Sequence, residues 1–501
     1  MTKTQNAFRY SFARVGRLAA PMALLLALAL AVPAPAFARG APDSFAELAD
    51  KLLPAVVNVS TTQVVQGREQ GLPDMPQFPP GSPFEDFFKD FFGQQNGHGG
   101  KPQKRKATSL GSGFIIDRRS NGDTYVVTNN HVIQDADEVS VILQDDTRMK
   151  AEIVGRDPKT DIAVLKVHTD RKLPSVRFGD SQKSRVGDWV VAIGNPFGLG
   201  GTVTAGIISA RGRDINAGPY DDFIQTDASI NRGNSGGPMF NMDGEVIGIN
   251  TAIYSPSGGS VGIGFAIPAS AAEPVIDQLI KHGQVTRGWL GVHIQAVTES
   301  IAETLGLKKT EGALVSSVVD GGPAAKGGVK SSDVILQFDR QTVTDVRKLQ
   351  RIVAATPVEK TVDVKVWRDG AETTVQVTVG RFEDDEQVAD AGDTPQGKGS
   401  DELTLSELGL VLAEPTGEVL ERFDLPEGAE GVIITDVDTD GTAYTEGLRA
   451  GDVVAEVNQA RVKTPADVVK LVQEAKKAGK RSVLLLVEGQ NGFRFVAPRL
   501  K

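Results

Sequence analysis

The chain of 501 residues contains no cysteine. Disulfides, lipidation at a thiol and zinc sites built on thiolates are therefore excluded, and a chain of this size relies on hydrophobic cores instead. Histidine is scarce, at five, so each candidate base can be weighed by its position. An excess of positive charge is lacking too: the formal net charge is −10, and removal of the first 38 residues, with four basic and no acidic side chains, takes it to −14. Such a chain repels a phosphate backbone, which argues against a nucleic-acid partner. Of long apolar runs there is one, Leu18 to Val32, short for a membrane span. Lys3, Arg9, Arg14 and Arg17 precede it and Ala36-Phe37-Ala38 follows as a small-x-small cleavage site, the layout of a secretory signal peptide over residues 1–38. An anchor kept on the chain is the alternative. Cleavage leaves a mature chain of 463 residues, suggesting three domains and containing no transmembrane span.

What the chain does have is a lone serine among glycines, Ile230-Asn231-Arg232-Gly233-Asn234-Ser235-Gly236-Gly237-Pro238. A serine that attacks a carbonyl needs an exposed Oγ and a bent backbone whose N–H groups point at the same spot. Glycines permit that bend. The amides across Gly233, Asn234 and Ser235, those of Gly233 and Ser235 foremost, then face the oxygen on which charge develops, usually the largest electrostatic contribution in acyl transfer. The plain alternative is a glycine-rich turn between strands. The stretch also satisfies G-x-S-x-G, but in an α/β-hydrolase a helix follows the serine, with the acid and histidine further on. Here Pro238 to Ile249 reads as strand, Asp243-Gly244 turn, strand. The partners are therefore expected upstream, in the order His, Asp, Ser.

Upstream lie many short β-rich runs: Ser112 to Ile116, Tyr125 to Thr128, Val139 to Leu143, Ile162 to Val167, Trp189 to Ile193 and Val203 to Ala210, with Glu245 to Ile253 after the serine. Their spacing, broken by Asp, Gly and Asn, indicates an all-β barrel or sandwich, and a barrel pair is the economical choice. A helix from Ala269 to Lys281 closes the region. An irregular insertion spans about 63–107, too long for an idle loop. Its Phe84, Phe87, Phe88, Phe91 and Phe92 form an apolar face that either covers the core or meets another subunit.

Among the histidines, His98 lies in a glycine-rich tail, His168 follows a strand, His282 ends a helix and His293 sits in a strand. His131, in Thr128-Asn129-Asn130-His131-Val132-Ile133, stands where a β run gives way to a helical turn, as a barrel protease requires of its base. The carboxylate should enter an apolar strand, partly buried, to orient the imidazole. Asp161, before Ile162-Ala163-Val164-Leu165, fits; Asp135, Asp137 and Asp180 sit in polar turns and fit less well.

Together with Gly194-Asn195-Pro196-Phe197-Gly198-Leu199, Ile224 to Pro238 and Gly264-Phe265-Ala266-Ile267-Pro268, these motifs resemble the HtrA (Do/DegP-like) envelope serine proteases over the whole mature chain. The resemblance implies a mainly β protein: a chymotrypsin-like double β-barrel, the trypsin-like protease domain of residues 39–285, followed by two PDZ-like α+β domains. It implies His131 as base, Asp161 as its orienting acid, Ser235 as nucleophile, and a substrate pocket at Ile230, Thr251 and Ile253. It further implies ATP-independent degradation of misfolded exported proteins in the periplasm, under stress and without metal or cofactor, by homo-oligomers built on trimers. A non-proteolytic peptide-binding chaperone or scaffold is the alternative.

An internal repeat supports the C-terminal half of that reading. Gly312-Ala313-Leu314-Val315 and Gly431-Val432-Ile433-Ile434 stand 119 residues apart, as do Asp333-Val334-Ile335 and Asp452-Val453-Val454. Each copy continues into an amphipathic segment, Val346 to Val353 and Ala466 to Val472. The copies are expected over 286–382 and 401–501, either side of an acidic linker at 383–400. Each opens on an apolar-Gly-apolar triplet, Leu290-Gly291-Val292 and Leu408-Gly409-Leu410, which in PDZ domains offers amides to the carboxylate of an apolar peptide C-terminus. Ser406-Glu407 replaces Gly288-Trp289 before the second triplet, so equal peptide binding by the two is not expected.

Overall fold

The computed structural model describes residues 42–65, 105–120, 123–195, 200–231, 233–256, 259–382, 402–489 and 492–500. The leader, the phenylalanine cluster, the linker and Pro196 to Leu199 lie outside the described residues. The chain divides after Leu52 into two compact units. In the first, the described helix Ala46–Leu52 carries Glu47 in its first turn and Lys51 in its last, matching the helix dipole.

The second unit begins with two closed barrels. The first is built from β1 (Val56–Val65), β2 (Arg105–Ser120), β3 (Asp123–Thr128), β4 (Glu138–Ile142), β5 (Arg148–Asp157) and β6 (Ile162–His168), in the order β1-β2-β3-β6-β5-β4. The second uses β7 (Trp189–Gly194), β8 (Thr202–Arg213), β9 (Phe223–Thr226), β10 (Pro238–Phe240), β11 (Val246–Ile253) and β12 (Gly264–Pro268), in the order β7-β8-β9-β12-β11-β10. The two orders are the same, one six-strand pattern repeated. Closure removes every sheet edge, so each strand buries its inward residues: β11 is buried throughout, and Val57, Val126, Val141 and Leu165 fill the first barrel. The β1–β2 ladder runs on to Val65 opposite Arg105, so the margins of the expected insertion are strand.

The helix Ala269–His282 follows β12 directly and stops at Gly283, which takes φ 72° and donates its N–H to the Leu279 carbonyl at 2.9 Å. The first α+β module then consists of β13 (Gly288–Trp289), β14 (Val292–Ala296), β15 (Ala313–Val318), β16 (Val334–Phe338), β17 (Gln341–Thr342), β18 (Thr361–Arg368), β19 (Ala371–Thr378) and β20 (Gly380–Arg381), with the helix Val346–Ala355. Its sheet runs β14-β15-β16-β18-β19, while β13 pairs with β20. The second module has β21 (Leu403–Leu405), β22 (Leu410–Ala413), β23 (Val432–Val437), β24 (Val453–Val457), β25 (Ala460–Arg461), β26 (Leu485–Gly489) and β27 (Gly492–Val496), with the helix Pro465–Lys477. The repeated aspartates explain part of the sequence repeat, because each is buried and ion-paired: Asp333 with Arg368 and Asp452 with Arg494, both at 2.6 Å. Outer sheet faces of the modules pack together through Leu314, Val334, Leu484, Leu486 and Phe495, and the Gln295 side chain bonds both the N–H and C=O of Phe495.

Candidate active site

The turn from β3 and the turn before β6 meet at one end of the first barrel. His131 lies in the helical turn Asn130–Ile133, and Asp161 immediately precedes β6 at φ 55°, a left-handed conformation that aspartate tolerates better than most residues. Their contact is short, with His131 Nδ1 2.6 Å from Asp161 Oδ2. The backbone holds the pair in register: the His131 amide donates to Asp161 Oδ1 at 2.9 Å, while the Asn130 amide and Asn129 Nδ2 donate to the Asp161 carbonyl at 3.1 and 2.8 Å. An ionised carboxylate only accepts, so Nδ1 carries the proton and Nε2 is left as the basic nitrogen. The His131 side chain is 5% exposed and that of Asp161 25%. Little water therefore competes for their bond.

Ser235 comes from the second barrel, in the loop from Ala228 that leads into β10. Its Oγ lies 3.4 Å from the Thr251 carbonyl, and Thr251 Oγ1 accepts from the same Asn129 side chain that holds Asp161, at 3.2 Å. Thr251 and Asn129 thus link Ser235 to the Asp161–His131 pair. Gly233 takes φ 95°. The Asn234 amide is engaged, donating to the Asn231 carbonyl at 3.0 Å, whereas the Gly233 and Ser235 amides donate to no acceptor among the described residues. The strand, turn, strand expected after the serine is β10, Asn241 to Gly244 and β11, with Asn241 N–H on the Glu245 carbonyl.

Ser112 is the residue the sequence reading missed. Its Oγ donates to the Gly233 carbonyl at 2.5 Å and accepts from the Asn195 amide at 2.7 Å, and its own amide donates to the Ser235 carbonyl at 2.9 Å. The first barrel thereby grips the serine loop of the second. Gly236 is pressed into this junction: it takes φ 84°, and a Cβ on it would lie 2.3 Å from the Ser112 carbonyl. The only signal in the sequence was Gly111-Ser112-Gly113, an unremarked Gly-Ser-Gly.

The expected pocket residues Ile230 and Ile253 are buried and flank Gly264, which pairs with Ile253 and sits against the Ile230 side chain. Asp227, an acid close by in the chain that would select a basic residue if it faced the pocket, accepts the Ile207 amide at 2.7 Å. Thr251, His131 and Asp161 line a cleft of about 660 Å³ that extends to Lys348, Arg351 and Ile352 on the first module's helix. Its wall includes the loop from β8 to β9, where Asp221 accepts the amides of Ile215 and Ala217 at 3.0 and 2.9 Å. Burial pushes the Asp221 carboxyl above its ordinary value; those two amides oppose the rise and neighbouring Asp214 adds to it. Arg351 donates to the Asp221 carbonyl at 2.7 Å, and Arg347 pairs with Asp214.

In the first module Leu290 is buried, Gly291 takes φ 74° and Val292 starts β14. The amides of Leu290 and Gly291 have no acceptor among the described residues. In the second, Leu408 and Leu410 are buried and Gly409 takes φ 68°. There the amides of Leu408 and Gly409 donate to the Leu405 carbonyl at 3.2 and 3.0 Å. Among the described residues no helix is long and apolar enough to cross a membrane.

Residues 111–249 match the trypsin-like peptidase domain, and 288–379 and 433–488 match PDZ domain families. A probable periplasmic serine endoprotease DegP-like of Brucella suis biovar 1 (strain 1330) is 47% identical over 473 residues, covering 90% of this chain and 89% of the relative. A protein of the same name from Rhizobium meliloti (strain 1021) is 45% identical over 504 residues, covering 96% and 95%. Among solved structures, the HtrA-type protease AlgW with a decapeptide is 43% identical, with a TM-score of 0.54 over 68% of this chain and 99% of that one. AlgW with a tripeptide gives 41% and 0.54 over 69% and 99%.

Proposed function

Since the chain belongs to the DegP-like, HtrA-type serine endoproteases, we propose that it degrades unfolded or damaged exported proteins in the periplasm through a triad of His131, Asp161 and Ser235. The observation that carries the triad is the 2.6 Å contact of His131 Nδ1 with Asp161 Oδ2. With Nδ1 committed to Asp161, Nε2 takes the proton of Ser235 Oγ as that oxygen attacks the scissile carbonyl. The oxyanion that forms faces the amides of Gly233 and Ser235. His131 then protonates the leaving amine, and water, activated by the same nitrogen, releases the acyl group from Ser235. No nucleotide enters these steps.

Ile230 and Ile253 are branched and apolar, so with Thr251 they make a narrow uncharged slot, and cleavage follows small aliphatic residues, valine and alanine above all. The first module docks exposed apolar C-termini at Leu290, Gly291 and Val292. Docking raises the local concentration of an unfolded chain at the cleft, which favours unfolded over folded substrates because folded proteins hide their ends. Export by the 1–38 leader and assembly on trimers belong to the same reading. Unfolded casein incubated with the mature chain and with Ser235→Ala tests it: hydrolysis is expected to fall at least about 10⁴-fold while casein binding persists. Residual cleavage within tenfold of the parent removes Ser235 from the nucleophile's role, and equal inertness of both leaves a peptide-binding chaperone.

A further inference from the structure

The two modules differ at the edge where a PDZ-like fold takes its ligand. In the first, β14 ends its sheet with the outer edge unpaired among the described residues, while β13 turns away to β20. In the second, β21 lies along the corresponding edge of β22, antiparallel, with Leu405 opposite Leu410 and Leu403 opposite Leu412. The Leu405 carbonyl receives the amides of Leu408 and Gly409, the groups that face a ligand's terminal oxygen in this mode of recognition. Its side chain, fully buried, packs in one cluster with Leu410 and with Val468 and Val472 of the helix Pro465–Lys477. Strand direction, terminal oxygen and terminal side chain are each supplied by the chain itself.

Resting on the reading of these triplets as peptide sites, we infer that Leu403–Leu405 is a tethered ligand filling the second module's site, so that the full chain presents one open peptide site, in the first module. The tether is the two-residue turn Ser406-Glu407, and a segment held so closely has an effective concentration of about millimolar or more, beyond what a micromolar peptide displaces. A second difference acts in the same direction. Val319 and Asp438 occupy matching places, their amides donating to the Gly291 and Gly409 carbonyls at 3.0 and 2.8 Å. A Cβ on Gly409 would lie 3.3 Å from Asp438 Oδ2, so a carboxylate stands beside the turn. That charge disfavours an arriving C-terminus and suits the neutral carbonyl of Leu405. The vacated site is therefore fitted to an uncharged extended strand with leucine at alternate positions.

The test uses the full chain with Ser235→Ala and a fluorescent Asp-Glu-Leu-Thr-Leu peptide, as free acid and as amide, titrated by anisotropy. The parent is expected to bind one free-acid peptide per chain, lost on Gly291→Trp. Adding Leu403→Glu and Leu405→Glu to Gly291→Trp is expected to open a site for the amide, at least about tenfold tighter than in the Gly291→Trp chain. Equal binding of the amide by those two chains, with folding retained, overturns the inference. Should the glutamates unfold the module, the absence of cysteine elsewhere allows a disulfide lock, Thr404→Cys with Val411→Cys, at a cross-strand pair. Unchanged peptide stoichiometry on locking supports the tethered ligand, and a fall from two peptides to one overturns it. A parent that binds no free acid would count against docking at Gly291 alone, since the glutamate and lock arms still decide the second site.

Discussion

In the first barrel, Asp161 and His131 are held by groups of that barrel: the His131 amide, the Asn130 amide and the Asn129 side chain all close on Asp161. In the second, the serine loop is gripped from outside, with Ser112 bonding the carbonyls of Gly233 and Ser235 and Gly236 pressed against the Ser112 carbonyl. One strand order thus supports two arrangements. The proposed acid and base are preset within a barrel, whereas the proposed nucleophile and its amides depend on how the barrels meet. Damage to the two halves should therefore look different in kinetics.

The largest effect is expected on the preset side. Asp161→Asn keeps the shape but offers an amide that no longer enforces a proton on Nδ1, and loss of the correct tautomer costs about 10⁴ in kcat in triads of this kind. The measurement is kcat on a short chromogenic peptide with KM followed in parallel. A loss below tenfold would mean that the 2.6 Å contact is structural and that another acid serves His131.

On the dependent side the loss should be smaller and of another kind. Ser112→Ala removes the hydroxyl that donates to the Gly233 carbonyl and accepts the Asn195 amide. Both peptide groups then lose a buried partner, and the Gly233 amide loses its aim. Removal of an oxyanion donor costs about 10² to 10³, so a misaimed one should cost about 10 to 100-fold in kcat with KM little changed. Because His131 and Asp161 are held independently, the pH profile of kcat/KM should keep its acid limb. A moved limb would show that Ser112 acts through the acid and base instead, and the contrast between the barrels would fail.

Much of this was legible in the sequence. The candidates His131, Asp161 and Ser235 were chosen by local context, a helical turn after a strand, an acid before an apolar run, and glycines around a serine, and the structure sets the first two in contact. Strands with continuous apolar runs, such as β6 and β11, were equally plain. Strand β5 was not, because Arg148, Lys150, Glu152 and Arg156 charge its course while few of its residues face the core. Ser112 escaped because its role exists only where two barrels touch. The same holds for Leu403–Leu405: a three-residue strand has no periodicity to read, and its meaning lies in pairing with a strand five residues on.

The smallest expected effect concerns a second place where the second barrel is held from outside. Its β8 to β9 loop is clamped by the first module, with Arg351 on the Asp221 carbonyl and Arg347 on Asp214 and Asn216. Asp221 is the buried acid there, its carboxyl raised first by desolvation, with Asp214 adding to the rise. A raised acid binds its proton more tightly folded than unfolded. Its favourable contribution is thus fully present below the ordinary value of 3.8 and is lost as pH climbs through the folded value. Asp221→Asn keeps an acceptor for the Ile215 and Ala217 amides but removes the titration. Melting temperatures of the parent and Asp221→Asn, followed from pH 4 towards neutrality, should therefore diverge: the parent declines relative to the variant as pH rises from the ordinary value of 3.8 through the raised folded value, then runs parallel to it. Parallel curves throughout would mean that Arg347 and Arg351 neutralise the loop well enough to keep Asp221 ionised, making the clamp electrostatic rather than a matter of fit.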